Sequence, residues 1–261
     1  MSRTLIANIL TVAMALLCGE SVATVPQNKD TDVAREITVL DQVISSRKTL
    51  SFDSIFSSIA SVPPEDVESR YSSLTEEDFA YVADKLDVEV AAIKAVVLIE
   101  AGTQMKGFWS PGVPVANFDR KMYARFRKKG GEKRTLKDGV VPEGLSGYAL
   151  REWTQLVNAR KTDADAADKG TFWGMFQIGG FNYGKCGCRS VEEFVERMSY
   201  SELEQLELFA VFITNSGMLD DLRNKNWAAF SRKYNGPSYR RRGYHTKMAA
   251  AYKKYKSDKD K

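Results

Sequence analysis

The chain has 261 residues, of which 43% are hydrophobic, and its formal net charge is +4. It is long enough to bury the core of one large domain, alone or with an extension. Its single histidine, His245, leaves too few ligands for a zinc hydrolase.

The first 23 residues have the pattern of an export signal. Arg3 supplies a positive charge, residues 5–17 are mostly apolar, and small side chains around Ala23 offer a cleavage site. The apolar run is too short and too near the N-terminus for a membrane-spanning helix. We therefore expect a protein that is exported to the periplasm or the medium and is not stably inserted in the membrane after cleavage.

Export also narrows the choice of partner. Lys and Arg concentrate at residues 120–137, at 239–242 and in the tail. Such patches suit an anionic polymer, either nucleic acid or bacterial wall. Export argues against nucleic acid, and the alternative for the basic tail is an ordinary solvated surface.

Residues 24–73 predict an N-terminal helical extension without chemistry of its own. Apolar residues recur at helical spacing from Val33 to Ile44 and indicate one amphipathic helix. We expect the main domain at residues 74–256 and a charged tail at 257–261.

Two predicted helices open the main domain. Thr75 begins a helix that runs through Leu86, and Asp87 is expected to cap a second helix that ends at Gly102. The second helix is almost entirely apolar until Glu100. A carboxyl group at the end of an apolar helix is poorly solvated, which raises its pKa and suits a general acid. The alternative is a surface glutamate in the last turn of a core helix.

The rest of the domain is predicted to consist of helices around one small β-hairpin, so the expected fold class is mainly α. The hairpin falls within residues 107–118, where apolar runs flank Pro111-Gly112. Residues 127–147 predict an exposed basic loop. Further helices are predicted at residues 148–160, 190–198, 201–217, 227–234 and 245–255.

The two cysteines beyond the signal raise a separate question. Cys186 and Cys188 are separated only by Gly187, so a disulfide between them would be strained. With His245, one of these thiols would form a Cys–His peptidase, which is a different class of enzyme. The cysteines lack an apolar strand-to-helix context, and this disfavours the alternative.

Three separated segments carry the strongest functional signal. They are residues 99–102 (IEAG), 173–178 (WGMFQI) and 234–237 (YNGP). In this order they resemble lysozyme-like enzymes that cut bacterial peptidoglycan, including lytic transglycosylases. The flanking residues extend the resemblance to the N-acetylmuramidase family of phage endolysins and secreted bacterial proteins, over about residues 74–256.

The resemblance implies a lysozyme-like α+β fold and hydrolysis of the β-1,4 bond between N-acetylmuramic acid and N-acetylglucosamine, without a cofactor or metal. Glu100 matches the catalytic glutamate of the family. Most glycosidases need a second carboxylate, and Asp119 is the candidate because it follows the second hairpin strand. The family has Glu here, with His two residues later, so this chain departs from the pattern. The alternative for Asp119 is an ion pair with Arg120 or Lys121.

Five residues are candidates for contacting the substrate: Gln177, Tyr234, Asn235, Trp173 and Gly174. The glutamine would bond a sugar or brace the Glu100 loop, the Tyr-Asn pair would orient the acid or an acetamido group, and the glycine would let the backbone approach closely. Trp173 and Trp109 would stack on sugar faces. The structural alternatives are a buried amide, a Tyr-Asn-Gly turn and core tryptophans.

Two other functions remain open from the sequence. In each case we expect a monomer whose partner is the peptidoglycan glycan strand. A lytic transglycosylase would use the same glutamate as acid and base, with the muramyl 6-hydroxyl in place of water. A non-catalytic wall-binding module would keep the scaffold without the reaction, and the altered Asp119 region leaves room for it.

Overall fold

The structure is a computed structural model that describes residues 70–127 and 139–259. The predicted signal, nearly all of the predicted extension and most of the predicted basic loop lie outside these residues. Within the described ranges, no helix is long and apolar enough to span a membrane.

Helices make up most of the described chain, as the sequence predicts, and short strands are inserted among them. The helices are α1 (Glu76–Leu86), α2 (Val90–Ala101), α3 (Arg120–Phe126), α4 (Gly147–Arg160), α5 (Ala164–Lys169), α6 (Val191–Met198), α7 (Glu202–Asn215), α8 (Leu219–Arg223), α9 (Trp227–Asn235), α10 (Tyr239–Arg242) and α11 (Tyr244–Lys259), with a 3-10 helix at Gly180–Cys186. The strands are β1 (Phe108–Ser110), β2 (Val113–Pro114), β3 (Ala116–Phe118), β4 (Thr171–Trp173) and β5 (Ile178–Gly179).

The junction between α1 and α2 corrects one sequence prediction. Thr75 begins α1 with a capping box, in which its hydroxyl and the Asp78 carboxylate satisfy each other's backbone N–H groups. Asp87 does not cap α2. It ends α1 instead, in the left-handed conformation with φ 52°, which Asp tolerates better than most residues. The residue that precedes α2 is Glu89.

Helix α2 lies at the centre of the core. Its residues Ala92, Ile93, Val96 and Val97 have no accessible surface, because the helix packs between α1 and α11. Full burial of each branched side chain contributes about 1.5–3 kcal/mol. This helix is therefore a rigid support for the residues at its two ends.

The strands form two small antiparallel sheets where the sequence predicts one hairpin. The hairpin is present as β1 and β2, around the turn at 111–112. The second apolar run continues into β3, which pairs with β4, and β4 pairs with β5. The three-stranded sheet could not be predicted from the sequence. Its strands are only two or three residues long, and the partner of β3 lies more than 50 residues later in the chain.

Helix boundaries beyond the sheets largely follow the capping residues in the sequence. Ser190, Ser201 and Asn226 each accept a hydrogen bond from the backbone N–H three residues later, at the starts of α6, α7 and α9. The starts of the helices predicted at residues 190–198, 201–217 and 227–234 are confirmed to within one residue. Helix α3 is not predicted from the sequence, because its seven residues lack an apolar stripe and none of them is buried.

Candidate active site

Glu100 lies in the last turn of α2, one residue before the helix ends and two before the C-cap Gly102. The side chain keeps some accessible surface, as a group that must reach a substrate requires. Protein nevertheless surrounds it closely enough that burial raises its pKa to about 7. Its position at the negative end of the helix dipole acts in the same direction. The poorly solvated carboxyl group expected from the sequence is therefore present.

The Tyr234-Asn235 segment meets Glu100 from the end of α9. Asn235 donates a hydrogen bond from Nδ2 to Oε1 of Glu100 at 2.8 Å. This bond favours the ionised acid and partly offsets the effect of burial on its pKa. The Oδ1 atom of Asn235 is buried and accepts no hydrogen bond from the described residues. A buried acceptor without a donor is costly, so this atom is suited to an incoming N–H or O–H group.

Tyr234 connects the same segment to the WGMFQI motif at residues 173–178. Its hydroxyl donates to the backbone carbonyl of Phe176 at 2.6 Å. Burial and the nearby Glu100 charge hold the pKa of Tyr234 well above its ordinary value, so the phenol keeps its proton and remains a donor. The structure thus brings the three separated segments of the sequence together at Glu100.

Gln177 occupies the tight turn between β4 and β5 in a strained conformation, with φ 48°. The nitrogen and the oxygen of its side-chain amide each form a hydrogen bond that holds the turn in place. Nε2 donates to the carbonyl of Gly174 at 2.8 Å, and Oε1 accepts from Nδ2 of Asn117 at 2.5 Å. Asn117 belongs to β3, so Gln177 ties the β4–β5 turn to the neighbouring strand. These contacts brace the β4–β5 turn against β3, whereas the sequence led us to expect that Gln177 braces the Glu100 loop.

Two of the predicted sugar contacts have structural roles instead. Trp173 has no accessible surface, donates from its indole to the carbonyl of Asp168 at 3.0 Å and packs edge-on against Trp153. A ring buried in this way has no face to offer a sugar. Gly174 is also buried, and a Cβ there would lie 2.6 Å from Oε1 of Gln205. Position 174 must therefore be a glycine because a larger residue would clash with the Gln205 side chain, not because a substrate approaches the backbone there.

Gln205 is a functional candidate that the sequence analysis missed. It is fully buried in α7 and links both β-structures. Its Oε1 accepts from the N–H of Met175 at 2.8 Å, and its Nε2 donates to the carbonyls of Gly107 and Met198. A Cβ at Gly107 would lie 2.4 Å from Oε1 of Gln205, so close packing against this amide explains both glycines.

Glu202, one turn earlier in α7, also holds the start of the hairpin at Gly107. Its carboxylate accepts the N–H of Gly107 at 2.7 Å and the N–H of Leu74 at 3.1 Å. Burial raises the pKa of Glu202, although these two bonds oppose the shift. In the sequence, Glu202 and Gln205 look like ordinary polar positions of an amphipathic helix. The only sequence signal for their role is the pair Gly107 and Gly174, which must be small because they pack against Gln205.

Asp119 caps α3. Its Oδ1 accepts the backbone N–H groups of Lys121 at 2.8 Å and Met122 at 3.0 Å, and this is the preferred role of Asp before a helix. Asp119 also continues β3 two residues after Asn117. Side chains two residues apart on a strand share a face, so this carboxylate leaves the strand on the side where Asn117 meets Gln177.

The cysteines are buried and unbridged. Burial raises the pKa of Cys186 well above its ordinary value and that of Cys188 to about 12. A catalytic cysteine needs a lowered pKa, so this environment argues against the peptidase alternative. Among the residues that the structure describes, no three His, Cys, Asp or Glu side chains lie close enough to hold a metal ion.

Comparison with known proteins agrees with this arrangement. A family model described as N-acetylmuramidase matches residues 89–256. A search of curated proteins found no match. Among solved structures, the crystal structure of Burkholderia AP3 phage endolysin is similar, with 28% sequence identity, a TM-score of 0.59 and coverage of 97% of this chain and 95% of that chain.

The predicted family and the mainly helical, lysozyme-like fold are confirmed by these two matches. The family match spans well over half of the chain and contains each of the three motifs that meet at Glu100. The chain therefore belongs to the N-acetylmuramidase family and is a lysozyme-like peptidoglycan hydrolase.

Proposed function

We propose that the protein hydrolyses the β-1,4 bond between N-acetylmuramic acid and N-acetylglucosamine, with Glu100 as the general acid. One observation carries the proposal: a carboxyl group whose pKa is raised to about 7 lies where the three motifs meet. A general acid works best with a pKa near the operating pH. Protonated Glu100 is thus available near neutrality to donate to the glycosidic oxygen.

The reaction follows from that proton. As Glu100 protonates the bridging oxygen, the bond between this oxygen and the anomeric carbon breaks. Water then adds to the anomeric carbon and loses a proton, which returns the acid to its starting state. A second carboxylate would assist the water or stabilise the developing positive charge, and we propose Asp119 for this role because of its place on the Asn117 face of the strand end.

Asn235 and Gln177 are proposed to contact the sugar directly. The buried Oδ1 of Asn235 would accept from an acetamido N–H or a hydroxyl group beside the scissile bond. Gln177 would use the amide hydrogen that its bond to Gly174 leaves over. Tyr234 is proposed as a positioning residue, since its hydroxyl is bonded to the backbone at Phe176.

Substitution of Glu100 tests the main proposal. E100Q keeps the size of the side chain and removes the proton donor, so kcat should fall by about a thousandfold or more, in the range of a lost general acid. The measurement is release of reducing ends from purified sacculi. Full activity in E100Q would refute the assignment.

Glu207 offers a matched control for this experiment. It is also a buried glutamate, on α7, with a pKa raised to about 8 by burial and by the charge of Glu204. E207Q removes an equally perturbed carboxyl group away from the three motifs. Its activity should stay close to wild type, and an equal loss in both variants would indicate a general effect on folding.

Asp119 requires a variant that separates catalysis from capping. Asn caps helices about as well as Asp, so D119N should leave the unfolding temperature unchanged. If Asp119 is the second carboxylate, kcat falls by at least about a hundredfold, in the range expected for a positioned acid–base group. Wild-type activity in D119N would reduce Asp119 to a helix cap.

The products distinguish hydrolysis from lytic transglycosylation. Hydrolysis adds water and leaves reducing muramic ends, whereas transglycosylation leaves anhydro ends that are one water molecule lighter. We expect reducing ends in the mass spectrum. Anhydro ends would assign the transglycosylase reaction to the same Glu100, and binding to sacculi without any cleavage would support the non-catalytic module.

We also propose that residues 1–23 export the protein, which acts as a monomer on the wall. Its substrate supports this location, as does the similarity to a phage endolysin. N-terminal sequencing of the protein from a periplasmic fraction should start after Ala23. Retention of the full chain in the cytoplasm would contradict the export proposal.

A further inference from the structure

An exposed aromatic cluster lies on β1 and α4, outside the three motifs that meet at Glu100. Trp109 on β1 is 41% exposed and Tyr148 on α4 is 44% exposed. Their ring centroids are 6.3 Å apart at an interplanar angle of 64°. The guanidinium of Arg151 lies 4.9 Å from the Tyr148 ring. We call Trp109, Tyr148 and Arg151 the aromatic ridge.

The exposure of Trp109 is unusual within this protein. The other three tryptophans are Trp153, Trp173 and Trp227, and their exposed fractions are 6%, 0% and 9%. The large hydrophobic side chains that are exposed in the described residues are Trp109, Val140, Tyr148 and Leu150, so they fall in one stretch of the chain. Of these four residues, Trp109 and Tyr148 contact each other, and contiguous exposed apolar surface is typical of binding sites.

The aromatic ridge is built on a rigid base. The hairpin root at Gly107 is held on both sides by α7, through Glu202 and Gln205. Trp153 donates from α4 to the carbonyl of Pro114 at 3.2 Å, which joins the hairpin to the helix that carries Tyr148. A preorganised surface loses little conformational entropy when it binds a ligand.

The same base connects the aromatic ridge to the candidate active site. Val115, which follows the hairpin, accepts a hydrogen bond from the N–H of Gly174 at 2.8 Å. Gly174 opens the turn that ends at Gln177. The hairpin is therefore a direct continuation of the wall that holds Asn117 and Gln177, and a polymer lying along this wall would extend beyond the site.

The chemistry of the aromatic ridge fits a sugar polymer. Aromatic rings present flat apolar faces with polar tips, which match the C–H faces and hydroxyl groups of a pyranose. Arg151 adds a positive charge with a 63% exposed side chain, and its Nε lies 3.3 Å from Oε1 of Glu152. Peptidoglycan combines pyranose rings with carboxylates on its stem peptides, so both parts of the aromatic ridge have a partner in the same polymer.

We propose that the aromatic ridge is a distal subsite for the glycan strand. Trp109 and Tyr148 contact a sugar several units from the scissile bond, and Arg151 pairs with a stem-peptide carboxylate. The proposal rests on the proposed function, because it takes the substrate of Glu100 as its ligand. It predicts a preference for long strands that Glu100 alone does not supply.

Tryptophan fluorescence tests this proposal directly, because Trp109 is the one tryptophan that is open to solvent. The E100Q variant is mixed with soluble, uncrosslinked glycan strands and titrated with acrylamide. We expect the strands to reduce quenching. In the E100Q/W109F variant, acrylamide should quench the remaining buried tryptophans only weakly, with or without the strands.

Kinetics with the active enzyme provide the second measurement. W109A should raise KM for long strands on the order of tenfold, equivalent to about 1.4 kcal/mol, while kcat/KM for a tetrasaccharide stays at the wild-type value. L150A is the control, since Leu150 is similarly exposed on α4 but lies outside the aromatic ridge. R151Q should weaken binding only for strands that retain their stem peptides.

The outcomes separate this proposal from the proposed function. Unchanged quenching of strand-bound E100Q, or a wild-type KM for long strands in W109A, would show that the aromatic ridge is not a subsite. Equal losses in W109A and L150A would also overturn it. If the wild-type protein cleaves neither long strands nor sacculi, the proposed function fails instead.

Discussion

The two ends of α2 carry the same kind of side chain in opposite electrostatic environments. Glu89 precedes the helix and binds Lys225 at 2.8 Å, Lys256, and the Tyr252 hydroxyl at 3.0 Å. These contacts lower its pKa to about 2. Glu100, in the last turn, has one amide partner and a pKa raised to about 7. One helix of 12 residues thus separates two glutamates with opposite shifts.

The difference lies in what surrounds each carboxylate. Glu89 has two ammonium groups and the positive end of the helix dipole, both of which favour the ionised form. Glu100 has desolvation and the negative end of the same dipole, and these favour the protonated form. The position of Glu100 in the helix and its burial, not the residue type, therefore favour its protonated form.

The largest effect that sharpens this comparison is the pH dependence of the rate. As the proposed general acid, Glu100 would have to be protonated to act, so kcat/KM should fall above its pKa of about 7, by about tenfold per pH unit. The profile in E89Q should be the same, because the Glu89 carboxyl is already ionised throughout this range. A wild-type rate that is constant to about pH 9 would break the comparison.

Asn235 determines how far the pKa of Glu100 is raised. Its hydrogen bond favours the ionised acid, so N235A should move the alkaline limb of the pH–rate profile to higher pH. The loss of orientation should also lower kcat by at least about tenfold. An unchanged alkaline limb would show that Asn235 does not act on the acid. N224A is a matched control, since Asn224 is exposed and bonds only a local carbonyl.

Stability should respond to Glu100 in the opposite sense to activity. Because its folded pKa is raised from 4.5 to about 7, the ionised carboxylate costs stability as pH rises through this window. E100Q should therefore be more stable than wild type at about pH 8, by about 3 kcal/mol, and equal to it at about pH 4. Urea unfolding at the two pH values measures the difference. A destabilised E100Q at the higher pH would contradict the assigned pKa.

Glu89 should give the smallest effect, with the reverse dependence. Its folded pKa is lowered from 4.5 to about 2, so its ion pairs stabilise the fold above this window and lose their effect as pH falls through it. E89Q should cost about 1 kcal/mol near neutrality, after allowance for solvent screening. The cost should vanish near about pH 2. E196Q, at an exposed position of α6, should show neither change.

The sequence was sufficient where the signal is local. Glu100 stands out because it interrupts an apolar run, and Thr75, Ser190 and Ser201 mark helix starts through bonds that span only three residues. Asp87 failed as a local signal because two helices follow each other so closely that an acidic residue between them can cap either one. Its left-handed conformation assigns it to α1.

Features that depend on distant partners were not predictable in the same way. Trp173 was expected at a sugar because it belongs to the WGMFQI motif and aromatic rings suit stacking, but β3 and α4 cover its ring. Gln205 reaches Gly107 across 98 residues of sequence. Nothing in the spacing of the chain relates the two, because the contact exists only after α7 packs against the strands.

The double attachment made by Glu202 has a practical consequence. One carboxylate holds both Leu74, near the start of the described chain, and Gly107, at the root of the hairpin. A shortened enzyme that began after Leu74 would lack one of the two N–H groups that this carboxylate accepts. The effect would be a less firmly held hairpin, far in the chain from the new terminus. Any minimal catalytic fragment should therefore start upstream of residue 74, even though the family match begins only at residue 89.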